Sequence, residues 1–236
     1  MSEDGMNDVQ NDGQSGAPRA GVIREVGLLD LRYAKTEEDL AGITLIEEVG
    51  AILIPEHLGA ALARIPMSEV GGIVPIPHDR KVSCMTGQVR LSGESLAAGA
   101  DDTVLVIAGQ AFITGEMTTV GFAEVRVYGQ LFYPRSGEAA MGAKLTQLTG
   151  QCFSLPTDPR FTMGTDSINQ EFLEYLPKPV AWVVMGTLTF EEDVRKETLR
   201  EKILEIVVMG TIRAPRPLLP LLNVLATDKM GSIDAL

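Results

Sequence analysis

The chain has 236 residues, 45% of them apolar and 22% charged, a composition able to build a sizeable core. Twenty Lys and Arg against 32 Asp and Glu leave a net charge of -12, which excludes the basic footprint needed for nucleic-acid binding or for docking on anionic membrane. Cys84 and Cys152 provide neither a disulfide framework nor a C-x-x-C zinc motif.

The first twenty residues, MSEDGMNDVQNDGQSGAPRA, are polar and have little to bury, so residues 1–20 are expected to form a disordered acidic tail. No basic n-region followed by an apolar h-region opens the chain. Apolar runs such as Val180 to Met185 are too short to span a bilayer, and a cytoplasmic location is expected.

From Gly21 onward a repeat governs the chain. Glycines 27, 50, 71, 87, 109, 129, 150, 186 and 210 each precede a strand-like run, with most spacings between 20 and 24 residues. Two residues after each glycine stand Leu29, Ile52, Ile73, Val89, Ala111, Leu131, Cys152, Leu188 and Ile212, all apolar. The next position is mixed, with Arg90, Phe112, Phe132 and Phe153 among its members, and the one after it is mostly apolar. Alternation with period two marks strands with one buried face.

Gln88, Gln110, Gln130 and Gln151 follow their glycines directly in four successive repeats. Amides stacked about 4.8 Å apart on neighbouring parallel strands can form a hydrogen-bonded ladder. The alternative is a solvent-facing polar position that recurs.

Helical spacing is expected over Thr36 to Leu40 and Leu58 to Ile65, over Glu191 to Glu205 with a stripe of Val194, Leu199, Ile203 and Ile206, and over Pro217 to Leu225. The central repeats leave little room for helix. The predicted fold is therefore an α/β repeat solenoid with a parallel sheet, built of strand–helix coils at both ends and more β-helix-like coils in the centre. It would form a single domain over residues 21–236, with an insertion at 156–181.

V-G-A-I-L-I-P-E-H-L-G-A-A-L-A-R-I resembles a leucine-rich repeat in period and in its strand-then-helix order, without the L-x-L-x-x-N strand. The glycine-cornered central repeats resemble bacterial parallel β-helix proteins, including the polymer-forming bactofilin type, although the coil here is longer. The resemblance spans about residues 21 to 225 and implies a fold class, with structural or scaffolding roles as its functional expectation.

The sequence is poor in chemistry. His57 and His78 stand 21 residues apart and could lie on adjacent coils, but surface histidines explain them as well as a metal or acid–base pair does. Glu25, Glu48 and Glu69 form a recurring E-V-G, read as a solvated edge with a cation site as the alternative. Cys152 replaces a buried aliphatic and reads as an inert core thiol. No phosphate-binding loop, dinucleotide fingerprint or nucleophile elbow is present, so no catalytic residue, metal site or cofactor is assigned and the chain is not expected to be an enzyme.

The expectation is a non-catalytic, self-associating structural or scaffold protein. A protein-binding module using its sheet face or the aromatic insertion is the alternative, and a carbohydrate-acting β-helix enzyme a lesser one. Candidate interaction residues are Phe161, Phe172, Tyr175 and Trp182 in the insertion, and Leu218, Leu221 and Leu222 in the last helix. The partner would be a second copy or another protein, with no nucleic acid and no membrane.

Overall fold

The computed structural model describes residues 21–236; the tail expected over residues 1–20 lies outside them. Every strand pairing among the described residues is parallel, and short helical turns connect the strands, consistent with the α/β class. The chain divides into two compact units, one ending at Asp79 and one running from Arg80 to Leu236.

In the first unit, β1 (Gly21–Asp30) pairs along β2 (Ile43–Pro55). The other side of β2 takes β3 (Met67–Val70) on its first half and β4 (Ile73–Ile76) on its second. Leu31, Leu40, Ile46, Ile52, Ile54, Leu58 and Leu62 fill the core. The expected helices here shrink to 3-10 turns at Glu37–Leu40 and Glu56–Leu58 and the single turn α1 (Gly59–Leu62). Register sets that limit, because Met67 must already pair with Ile46.

The second unit opens with four long strands. β5 (Lys81–Ser92) is followed by helix α2 (Gly93–Ala97), β6 (Thr103–Thr114) and β7 (Glu124–Pro134), then helix α3 (Glu138–Lys144) and β8 (Leu145–Leu155). They pair in chain order, with Gly87, Gly109, Gly129 and Gly150 opposite one another. Helices α2 and α3 correct the expectation of a nearly helix-free centre. Ser92 caps α2 by accepting the Ser95 N–H at 3.1 Å.

The rest of the unit is a second group of paired strands. In order come β9 (Arg160–Thr162), β10 (Thr165–Ile168), α4 (Gln170–Glu174), β11 (Val180–Val184) and β12 (Thr187–Phe190). They are followed by α5 (Lys196–Lys202), β13 (Ile203–Val208), β14 (Thr211–Ala214), α6 (Leu219–Leu225), β15 (Ala226–Lys229) and β16 (Ser232–Ala235). One sheet has the order β9-β11-β13-β15 and the other β10-β12-β14-β16.

Two sequence expectations change here. Residues 156–181, expected as an insertion, carry β9, β10 and α4 in register with the following repeat, and Gly164 is their unrecognised corner. The helix expected over Glu191 to Glu205 is only α5. Ile203 and Ile206 instead belong to β13, because they must pair with Val180 and Trp182 of β11. Tertiary pairing overrides helical spacing.

Within this unit the two groups of strands pack face to face. Phe112, Phe132 and Phe153 stack at centroid distances of 4.6 and 5.0 Å, and they meet Phe161, Val183, Val207, Met185 and Met209 from the other group. An ion pair between Arg135 and Glu205 at 2.8 Å joins the same two groups.

Candidate functional site

The glycine corners divide the described chain into three stacks of strands. A methyl group added at Gly50, Gly71, Gly109, Gly129, Gly150, Gly186, Gly210 or Gly231 would collide with the backbone carbonyl of the preceding corner glycine. At Gly27, Gly87 and Gly164 it would meet nothing within 4 Å. Those three glycines therefore open a stack on a side that no neighbouring backbone crowds. The stacks are β1 to β4, β5 to β8, and β9 to β16.

Each stack turns its corner differently. In the first, Glu25, Glu48 and Glu69 take the left-handed conformation at φ of 54 to 56°, which costs a non-glycine residue about 1 kcal/mol or more each. All three carboxylates are exposed, as the solvated-edge reading expects. In the second stack the glycine itself is left-handed, with φ of 79° at Gly87 and 133 to 138° at the other three. In the third, two consecutive amides converge on one carbonyl. Met185 and Gly186 donate to Thr162 O at 2.8 and 3.0 Å, and Met209 and Gly210 both donate to Val184 O at 2.8 Å.

The four glutamines form a ladder. Gln88 Nε2 donates to Gln110 Oε1 at 2.6 Å, Gln110 to Gln130 at 2.8 Å, and Gln130 to Gln151 at 3.2 Å. It ends at an exposed edge. Residues 146 to 151 of β8 are all exposed, and no charged residue lies anywhere between Leu145 and Leu155.

The candidate interaction residues fall into two sets. Trp182 is fully buried and its indole N–H donates to Thr162 Oγ1 at 3.0 Å, while Leu218 and Leu222 are core residues with Leu221 packed against them. Trp182, Leu218 and Leu222 thus lie inside the core, where no partner reaches them, whereas Leu221 is half-buried. Phe161 and Phe172 are half-buried, and the Arg160 guanidinium lies 4.7 Å from the Phe172 ring centroid and 5.3 Å from that of Trp182. Only Tyr175, at 77% exposure, projects into solvent. The face-to-face phenylalanines and the Met-Gly corners were missed, although Phe112, Phe132 and Phe153 recur in one sequence column.

Reactive side chains are few and dispersed. His57 and His78 are brought together at a centroid distance of 4.4 Å, both exposed, with His57 Nε2 3.0 Å from Lys35 O. Among the described residues no three His, Cys, Asp or Glu side chains come together as a metal site. Burial pushes the Cys152 thiol above its ordinary value, which disfavours the reactive thiolate. Glu174 is held below the usual carboxylate range, first by the Gln170 amide and then by Arg195. The Arg32 guanidinium does the same for Asp30. A cavity of about 240 Å³ lies between the two groups of the second unit, lined by Arg90, Ile113, Pro134, Asp158 and Phe161 among others. No helix among the described residues is long and apolar enough to cross a membrane.

Comparison with known proteins returned no matching family model, no matching curated protein and no matching solved structure.

Proposed function

We propose that the chain is a repeat solenoid of bacterial type, serving in the cytoplasm as a non-catalytic structural or scaffold protein that self-associates. The observation that supports this most is the open edge of β8. It spans eleven residues, is mostly exposed, carries no charge and has a strand paired on one side only. Exposed edges are normally blunted by Lys, Pro, bulges or brevity, because unpaired N–H and C=O groups template another strand. β8 carries neither Lys nor Pro; its one irregularity is the extra residue Thr146 near its start, after which residues 147–155 pair without a break.

Size-exclusion chromatography with light scattering over a hundredfold range of concentration tests the reading. A mass that rises with concentration supports it. A monomer at every concentration overturns it and favours the second reading, a protein-binding module centred on the exposed Tyr175 beside Phe172.

A further inference from the structure

The edges of the described strands differ in what they offer. Those of the third stack are three or four residues long in β9, β10, β15 and β16. β1 is ten residues long and carries three charged residues, Arg24, Glu25 and Asp30. Among the described residues, β5, with twelve residues and charges only at Lys81 and Arg90, and β8, with eleven uncharged residues and one extra residue at Thr146, are the longest strands paired on one side alone. They are the two ends of the same ladder.

An amide ladder running in one direction must finish with a donor at one end and an acceptor at the other. Here Gln151 has accepted from Gln130 and has its Nε2 left to give, whereas Gln88 has donated to Gln110 and has its Oε1 left to receive. Reversing every amide exchanges the two roles without removing the complementarity. The glycine corners match in the same way. An extra methyl at Gly150 would strike the carbonyl of Gly129, while one at Gly87 would meet nothing within 4 Å, as the first position of a stack requires.

Building on the self-association reading, we infer that β8 of one copy takes β5 of a second copy as its next parallel strand, with Gly87 of the incoming copy opposite Gly150. This register follows the spacing of the existing pairs, Gly129 with Gly150 and Gln130 with Gln151. It sets Met85 against Leu148, Gln88 against Gln151 and Val89 against Cys152, apolar on apolar and amide on amide. The contact is heterologous, so each added copy presents a fresh β8 edge and the assembly grows head to tail.

The test uses the full chain with Cys84→Ala and Cys152→Ala, into which Gln88→Cys and Gln151→Cys are placed singly and together, followed by a short bismaleimide. The double variant is expected to give covalent dimers and higher multiples, and each single variant only monomer. Cross-linked dimer from Gln151→Cys alone overturns the inference in favour of a two-fold contact between β8 edges. A concentration-dependent mass of the unsubstituted chain without cross-linking in the double variant also overturns it, while leaving self-association through another surface standing. A constant monomer mass overturns both.

Two further variants guard against misfolding. Gln151→Glu can still accept from Gln130 but has no amide to donate, and should weaken association roughly tenfold with an unchanged thermal melt. Adding Gln88→Lys supplies a cation for that carboxylate and should restore it. Failure of the pair to rescue, with both variants folded, counts against the register.

Discussion

The second and third stacks solve one geometric problem in two ways. Both must turn the chain at a glycine once per repeat, and both place successive corner glycines in van der Waals contact. In β5 to β8 the turn is made by backbone conformation, since each glycine is left-handed and the strand runs through it unbroken. In β9 to β16 it is made by hydrogen bonding, since two amides share one carbonyl and the strand splits into members of two sheets. The difference decides the edges. A corner inside a continuous strand leaves an edge of eleven or twelve residues; a corner between strands leaves edges of three or four. Capacity to pair with another chain therefore follows from how the corner is made.

Corner substitutions should break the two stacks to different depths. Gly129→Ala adds both left-handed strain and a collision with Gly109 O, and is expected to cost more than about 4 kcal/mol, enough to prevent folding of a marginal domain. Gly186→Ala collides with Gly164 O without that strain and should be less severe, while Gly164→Ala, with open space, should cost under about 1 kcal/mol. Urea unfolding of the three variants measures the order, and equal losses at Gly164 and Gly186 would refute the account of the corners.

The phenylalanine stack couples the two groups. Phe132 is 1% exposed between Phe112 and Phe153, so Phe132→Ala should cost about 3–5 kcal/mol. If the groups hold together through this face, hydrogen exchange should rise in β11 and β13 as well as in β7. Protection unchanged in β11 and β13 would show that the contact is not coupling them.

The ladder gives a smaller contrast. Gln110→Ala removes two side-chain hydrogen bonds and should destabilise the second stack by about 1 kcal/mol, and Thr187→Ala at the corresponding position of the third stack by less than half of that. Smallest of all is a gain. Glu48→Gly in the first stack relieves a residue held at φ of 54°, and should raise stability by about 0.5 kcal/mol after the extra entropy of glycine is counted. A fall in melting temperature would mean that the Glu48 side chain contributes more than its strain costs.

Much of this architecture was legible along the chain. Gln88, Gln110, Gln130 and Gln151 could be aligned by eye because parallel pairing in register puts equivalent residues of successive repeats side by side. His57 and His78 met for the same reason. Glycines 164 and 231 were not seen, because the strands they serve are short and polar, TDSI and SIDA, and carry little alternation. The helix drawn too far, Glu191 to Glu205, shows the opposite fault. Val194, Leu199, Ile203 and Ile206 do share a buried side, but half of them reach it from a strand.

Sequence alone determined the period and the parallel pairing that aligns the four glutamines, because each depends on residues one repeat apart. Tertiary structure decided where one stack stops and the next begins, which no local pattern marks. It also decided that Trp182, Leu218 and Leu222 face inward while the uncharged residues of β8 face water. Burial depends on which neighbour covers a strand, and among the described residues none pairs beyond β8, because the chain turns away at Pro156 to form β9 against β11.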